Sequence, residues 1–304
     1  MSRVPLSLAA GLAVAVFAAA PASAAGAPPL IDAPWLAAHA CDAGVVVLDI
    51  RDNARSFERA RVPCARHAPY PGSGWRAERD GVPGMLPAPE ALAAMIGGLG
   101  VGDSDHVVIV GEGGGAGATS AATRVYWTFK VLGHDPVSLL DGGFAAYRAD
   151  RELATESGDA EAPAAKPFTA RLRPELIASA ADVAAAAAAL VDNRESDQFV
   201  GVNRSGAAAR AGTIPGAGNV PISWLTRPDG RFQDRALLGE IAAATALTAE
   251  GPVITFCNTG QMASLGWFVG HELLGNDEVR LYDGSMAEWS RDPARPLERR
   301  IGRD

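Results

Sequence analysis

The residue best placed for chemistry in this chain is Cys257, which follows the apolar run at 253–256 and precedes a tight turn and a helical pattern. Loop amides and the first turn of a helix carry unpaired N–H groups, and these stabilise a negatively charged sulfur. The thiolate is the nucleophilic form of cysteine. A lone cysteine is more often a buried structural residue. The strand-end position and Gly260 in the turn nevertheless favour a nucleophile here.

The elements that would position this thiol recur along the chain. Continuous apolar runs lie at 45–50, 106–110, 137–140, 253–256 and 279–282. Runs of this length are typical of strands buried on both faces of a parallel sheet. Helical patterns lie at 30–40, 90–99, 120–132, 181–190, 235–247 and 263–274. The alternation predicts an α/β fold in which mainly parallel sheets are flanked by helices.

The pattern occurs twice. Val107–Gly111 aligns with Val253–Cys257, and Leu140–Gly143 aligns with Tyr282–Ser285. An internal repeat of this kind predicts two domains with the same fold. A glycine stands in the first copy where the second copy has its cysteine, so we expect only the second domain to carry the nucleophile.

The domain boundaries follow from composition. Residues 1–24 combine a basic start, an apolar run and a small-residue cleavage site, which is typical of a secretory signal peptide cleaved near Ala24. We expect an inactive domain over 25–150, a polar linker over 151–170 and the catalytic domain over 171–304. The mature protein is predicted to be periplasmic or secreted, with no membrane association after cleavage.

The charge and the cysteine content of the chain argue against several classes of function. The net charge of -8 and the absence of a Lys/Arg cluster give no case for nucleic-acid binding. No paired Cys/His spacing predicts a metal site, and no cofactor is expected. Cys41 and Cys64 could pair in an oxidising compartment and leave Cys257 free, but spacing alone does not supply disulfide geometry. That bridge and the oligomeric state stay open.

Three segments together resemble a known family. Cys257–Met262 (CNTGQM), Gly212–Ala217 (GTIPGA) and Tyr282–Trp289 (YDGSMAEW) are similar to segments of the tandem rhodanese-type sulfurtransferases. That family includes thiosulfate and 3-mercaptopyruvate sulfurtransferases, and the resemblance covers residues 30–290. It implies two tandem rhodanese-like domains, of which the first is inactive and the second catalytic.

The resemblance also implies a reaction and a set of site residues. Cys257 would take sulfur from a small anionic donor, hold it as a persulfide and pass it to cyanide or a thiol. Arg194 would bind the anionic end of the donor, and Asp192 would orient the loop or Arg194. The other expected donor-binding residues are those of the loop, Asn258, Thr259, Gly260, Gln261 and Met262.

The loop departs from the family pattern because it carries no cation. Family loops selective for thiosulfate commonly have Arg or Lys after the cysteine, so the choice between thiosulfate and 3-mercaptopyruvate is open. Three roles also have alternatives. Arg194 could form a surface salt bridge, Asp192 could cap a helix or turn, and Thr259 could stabilise the turn instead of contacting a donor oxygen.

Other thiol chemistries fit less well. A cysteine-dependent phosphatase needs an arginine at the end of its loop, where Ala263 stands. A thiol peptidase needs a histidine base beside the cysteine. His271 lies eight residues from Ala263, which is roughly 12 Å along a helix at about 1.5 Å per residue. The remaining alternative is a non-catalytic sulfur-carrier or binding protein with a rhodanese fold.

Overall fold

The computed structural model describes residues 27–248 and 250–302. The predicted signal peptide, residues 1–24, lies outside them. The described chain forms two α/β domains, each built on a five-stranded parallel sheet. This confirms the expected fold class.

The strands are β1 (Leu30–Ile31), β2 (Val45–Asp49), β3 (Arg66–His67), β4 (Ala77–Arg79), β5 (Val82–Met85), β6 (His106–Val110), β7 (Val137–Leu140), β8 (Ile177–Ala178), β9 (Ala189–Asp192), β10 (Gly218–Asn219), β11 (Val253–Phe256) and β12 (Val279–Tyr282). The first sheet has the order β1-β7-β6-β2-β3, and the second has the order β8-β12-β11-β9-β10. The two orders are equivalent strand by strand, as the internal repeat requires. Strands β4 and β5 form a separate antiparallel hairpin in the first domain.

The helices are α1 (Ala33–His39), α2 (Ala54–Arg59), α3 (Pro89–Gly98), α4 (Ala116–Val131), α5 (Gly143–Ala149), α6 (Ala180–Ala184), α7 (Ser196–Phe199), α8 (Ile222–Leu225), α9 (Arg235–Ala244), α10 (Gln261–Trp267) and α11 (Ser285–Trp289). Helix α10 continues as a π-helical segment to Leu273. No helix in the described part of the chain is long and apolar enough to cross a membrane.

The alanine-rich segment is where the predicted helix is wrong. A helix was expected over 181–190, but α6 ends after Ala184, and Ala186 has a positive φ of 51°. The residues that follow enter β9, which pairs with both β10 and β11 inside the second sheet. Because a central strand contributes two ladders of hydrogen bonds, tertiary pairing overrides the helix propensity of alanine at this position.

The two domains share a buried interface made by α4 and α10. The hydroxyls of Thr123 and Ser264 lie 2.8 Å apart across it, and the Tyr126 hydroxyl donates to Glu272 at 2.8 Å. The Tyr126 ring meets the Phe268 ring edge to face at 4.8 Å. Because most buried hydroxyls in proteins have a hydrogen-bond partner, these contacts help to fix how the domains dock.

The segment predicted as a linker, 151–170, runs along the surface of the first domain. Glu156 and Arg61 exchange two main-chain hydrogen bonds of 3.0 Å, and the Lys166 ammonium lies 2.6 Å from Asp105. Although its composition is typical of a linker, this segment is therefore bonded to the first domain.

The cysteine question left open by the sequence is answered by the fold. Cys41, just after α1, is bonded to Cys64, and their Cα atoms lie 5.5 Å apart. Cys257 is free. The disulfide thus belongs to the first domain and the single free thiol to the second.

Candidate active site

Cys257 lies directly after β11 and before α10, at the position predicted from the sequence. Strand β11 is central in its sheet, between β9 and β12, and its four residues are buried. The Cys257 side chain is 1% exposed. The carboxyl end of this strand therefore holds a free thiol at the edge of the domain core.

The hydroxyl of Ser285 fixes the shape of the Cys257 loop. It accepts the backbone N–H groups of Cys257 and Gly260, both at 3.1 Å, and donates to the Tyr282 carbonyl at 2.8 Å. Ser285 is buried and has a φ of 49°, which is unusual for a residue with a side chain. The surrounding hydrogen bonds hold Ser285 in this strained conformation, in which one hydroxyl joins both ends of the loop to the end of β12.

The first domain repeats this arrangement without the thiol. Phe144 N–H donates to Gly111 O at 2.8 Å, as Met286 N–H donates to Cys257 O at 3.0 Å. Gly143, with a φ of 61°, stands where Ser285 stands in the second domain. The backbone arrangement is thus the same in both domains. The thiol and the hydroxyl that braces its loop occur only in the second.

Asp283 ties the loop to the first domain. Its Oδ2 accepts the Leu86 N–H at 2.6 Å, and its Oδ1 lies 2.6 Å from Nη1 of Arg124. Both Arg124 and Asp283 are buried. Gly260 packs so tightly here that a Cβ would lie 2.5 Å from the Arg124 guanidinium, so this loop position requires glycine.

Arg76, in the segment leading into β4, contacts the loop directly. Its Nη2 donates to the Thr259 carbonyl at 2.6 Å, and its Nη1 donates to Gln261 Oε1 at 3.2 Å. Its Nε donates to Gly84 O at 3.0 Å, which joins the guanidinium to the hairpin. The cation missing from the Cys257 loop is therefore supplied by the other domain.

A cleft of about 390 Å³ opens at this contact between the domains. It is lined by Tyr70, Pro71, Arg76, Pro83, Gly84, Ala207 and Thr259. Burial raises the pKa of the Tyr70 hydroxyl, and the neighbouring Arg76 and Arg124 oppose that shift. The hydroxyl therefore stays protonated and can donate a hydrogen bond.

The equivalent loop of the first domain is covered by the second. Asp229 O accepts the Gly114 N–H at 3.0 Å, and Gly230 O accepts the Thr119 hydroxyl at 2.7 Å. A Cβ on Gly230 would lie 2.9 Å from the Gly115 nitrogen. The turn at Asp229 and Gly230 thus fills the position that corresponds to the open cleft beside Thr259 of the Cys257 loop.

Asp192 and Arg194 form a buried ion pair. Nε and Nη2 of Arg194 both bond the Asp192 carboxylate, the shortest contact being 2.6 Å, and Nη2 also donates to Gly212 O. Arg194 is 1% exposed. Arg51 and Asp49 make the same fork in the first domain, which has no thiol. Because the Nε and Nη2 edge of the guanidinium already binds Asp192, the geometry favours a structural role, and donor contact by Arg194 stays a prediction.

The side chains of the other predicted loop residues point to different neighbours. Asn258 donates to Gln198 Oε1 at 3.0 Å, and Gln261 Nε2 donates to the Ser120 hydroxyl at 3.1 Å across the domain interface. Met262 packs against the core, and the Thr259 carbonyl is held by Arg76. Their contact with a donor stays a prediction. Within residues 27–248 and 250–302 no group of three His, Cys, Asp or Glu residues is arranged to hold a metal.

Sequence reasoning missed Arg76, Tyr70, Arg124 and Gln198. Arg76 and Tyr70 lie in the Gly/Pro-rich stretch 68–89, which carries no motif. A long irregular segment within a compact domain often forms a binding loop, and this is the one signal that pointed to them. Ser285 was part of the Tyr282–Trp289 segment, but its role depends on backbone geometry.

A model of the Rhodanese-like domain matches residues 32–150 and again residues 175–292. The chain therefore belongs to the rhodanese family and carries two such domains in tandem.

Comparison with individual proteins identifies it further as a sulfurtransferase. It is 30% identical over 277 residues to a putative thiosulfate sulfurtransferase of Saccharopolyspora erythraea, covering 88% of this chain and 95% of that protein. It is 29% identical over 282 residues to the 3-mercaptopyruvate sulfurtransferase of Escherichia coli K12, covering 88% and 97%. The crystal structure of SseA, a 3-mercaptopyruvate sulfotransferase from Escherichia coli, superposes with a TM-score of 0.74 at 28% identity, covering 85% of this chain and 98% of that one.

Replacing Ser285 tests its control of the loop. Ser285→Ala removes the acceptor of two buried N–H groups, and Ser290→Ala is the control because its hydroxyl is equally buried but contacts Ala209 and Met286. Each variant should lose about 1–3 kcal/mol of stability. Only Ser285→Ala should slow alkylation of Cys257 by iodoacetamide, by about tenfold if about 1.4 kcal/mol of loop preorganisation is lost. Equal alkylation rates in the two variants would contradict this role.

The repeat supplies a matched test for Arg194. Arg194→Met and Arg51→Met each leave a buried carboxylate unpaired, so both should lower the free energy of unfolding by about 3–5 kcal/mol. We expect Arg194→Met to change KM for a sulfur donor by no more than Arg51→Met does. The measurements are denaturant midpoints and steady-state kinetics. A large rise in KM confined to Arg194→Met, with stability unchanged, would support its predicted donor-binding role.

Proposed function

We propose that this sulfurtransferase moves sulfane sulfur from a small anionic donor, thiosulfate or 3-mercaptopyruvate, to a thiophilic acceptor such as cyanide or a thiol. The observation that carries the proposal is the single free thiol in the loop after β11. Ser285 braces that loop, and a cation from the other domain is bonded to its main chain. Relatives named for thiosulfate and for 3-mercaptopyruvate align with this chain over 95% and 97% of their own lengths.

In the first half-reaction the Cys257 thiolate attacks the outer sulfur of the donor. With thiosulfate the sulfur–sulfur bond breaks, sulfite leaves with the bonding electron pair, and Cys257 becomes a persulfide. With 3-mercaptopyruvate the carbon–sulfur bond breaks, and the thiol proton ends on the methyl carbon of pyruvate. Charge balances in both cases, and no external oxidant or reductant is needed.

In the second half-reaction the acceptor attacks the terminal sulfur. Cyanide forms a carbon–sulfur bond, the persulfide bond breaks, thiocyanate leaves, and the Cys257 thiolate is restored. A thiol acceptor would leave as a persulfide in the same way. The reaction therefore requires one cysteine, which agrees with the single thiol in the two domains.

The loop is suited to hold a negatively charged terminal sulfur. Within the described residues no protein group accepts the backbone N–H groups of Asn258, Thr259, Gln261 and Met262. Because backbone amides near an anion act as fixed dipoles, they stabilise it without reorganising. The Arg76 guanidinium on the Thr259 carbonyl adds a positive charge at the same loop.

The reaction is tested by sulfur transfer with both donors. We expect wild type to convert cyanide to thiocyanate from thiosulfate or 3-mercaptopyruvate, and the two kcat/KM values rank the donors. Cys257→Ser should abolish turnover because no other free thiol is present. Mass spectrometry after donor treatment without acceptor should show one added sulfur atom on Cys257. Transfer at equal rates by wild type and Cys257→Ser would overturn the mechanism.

The same assay separates the enzyme from the sulfur-carrier alternative. A persulfide that forms on Cys257 but passes to neither cyanide nor a small thiol would favour a carrier. In that case sulfur would leave only to a partner able to reach a cysteine that is 1% exposed.

We further propose that the mature protein works in an oxidising compartment, either the periplasm or outside the cell. The signal-like pattern over 1–24 and the Cys41–Cys64 disulfide both support this, since stable disulfides persist mainly in exported proteins.

Export is tested by expressing the full chain in a bacterial host and sequencing the N-terminus of the recovered protein. We expect the mature protein in the periplasmic or secreted fraction, starting near Ala25. Replacing the small residues Ala22 and Ala24 with leucine should block cleavage. Full-length protein retained in the cytoplasm would contradict the proposal.

A further inference from the structure

We propose that Arg76 and Tyr70 of the first domain form the subsite that binds the anionic group of the sulfur donor, in the cleft beside the Cys257 loop. This inference rests on the proposed function. It assigns substrate recognition to the domain that has no thiol.

Arg76 is held rigidly but its charge is not neutralised. Its three protein acceptors are Gly84 O, Thr259 O and Gln261 Oε1, none of which carries a charge. No carboxylate within residues 27–248 and 250–302 forms an ion pair with it. A guanidinium has five N–H groups, so one on Nη1 and one on Nη2 remain available. Two neighbouring N–H groups match two oxygens of a sulfonate or carboxylate.

Tyr70 presents an unused donor in the same cleft. Its hydroxyl lies close to the Arg76 guanidinium, and no group in the described protein accepts the hydroxyl proton. An unpaired buried hydroxyl is costly. A donor oxygen placed against Arg76 would give the Tyr70 hydroxyl an acceptor, so a bound anion would satisfy both side chains.

Arg124 shows why Arg76 is the residue that recognises the anion. Arg124 also lies at the loop, but its Nη1 is 2.6 Å from the buried Asp283 carboxylate. An ion pair of this kind contributes little net positive charge to its surroundings. The positive charge left for a ligand in the cleft is therefore that of Arg76.

The placement of Arg76 also relates the bound anion to the nucleophile. The guanidinium is bonded to the main chain of Thr259, two residues after Cys257. A donor whose oxygens bind Arg76 would therefore have its sulfur next to the loop that holds the thiol. In thiosulfate and 3-mercaptopyruvate the anionic group and the transferable sulfur are only a few bonds apart, which suits this short separation.

The charge preference of the subsite can be measured by alkylating Cys257. Iodoacetate and iodoacetamide are similar in size but differ by one negative charge, and Cys257 is the free thiol. Arg76→Met should lower the iodoacetate rate relative to the iodoacetamide rate by about fivefold or more, as expected when a charge-assisted contact is lost. Tyr70→Phe should lower the ratio by about twofold, since it removes one neutral donor.

The control is Arg79→Met, which removes an exposed arginine from β4, three residues away. It should leave the ratio unchanged. If Arg76 only braced the loop, both alkylation rates would change together and the ratio would not move. A ratio in Arg76→Met equal to that of wild type overturns the inference.

Steady-state kinetics give an independent readout. Arg76→Met should raise KM for thiosulfate about tenfold with a smaller change in kcat, and Arg76→Lys should recover part of the loss because it keeps the charge. Absence of thiocyanate formation by wild type would contradict the proposed function alone, since the alkylation ratio does not depend on sulfur transfer. An active wild type with KM unchanged in Arg76→Met would contradict the subsite alone.

Discussion

The buried carboxylate of Asp283 is the interaction on which the site depends. One oxygen accepts the Leu86 N–H and the other faces Arg124, both from the first domain, while Gly260 packs against the pair. A buried carboxylate that loses its partners costs several kcal/mol. The Cys257 loop is therefore tied to the docking of the two domains, and the candidate site includes residues of both.

Docking is reciprocal, and this explains why one site is open and the other closed. Leu86 N–H binds Asp283, and Phe232 N–H binds the equivalent Asp141 in the first domain. Each domain thus covers the loop of the other. The first-domain segment that packs on the Cys257 loop carries Arg76 and leaves a cleft beside that loop. The second-domain turn that packs on the equivalent loop of the first domain places Gly230 directly against its glycines. The thiol and the open cleft occur at the same loop.

Much of the fold followed from pattern. Strands β6, β7, β11 and β12 begin and end where the apolar runs predict, because buried parallel strands must be apolar on both faces. The helix predicted for the alanine-rich segment is wrong because the helix propensity of alanine is weaker than the hydrogen-bonded pairing of a central strand. At the site, the position of Cys257 follows from its place after a strand. The predicted donor contact of Arg194 depends on a motif that also forms, as Asp49 and Arg51, in the domain without a thiol.

The sequence by itself determined the α/β class, the repeat and the identity of the single candidate nucleophile, because these depend on local apolar periodicity and on which copy has a cysteine. Only the tertiary structure decided what surrounds that thiol. Arg76 is 181 residues from Cys257 in the printed sequence, and Ser285 acts through a positive φ. A contact between residues so far apart in the sequence leaves no local pattern from which it could be predicted. The same holds for a backbone conformation that packing imposes.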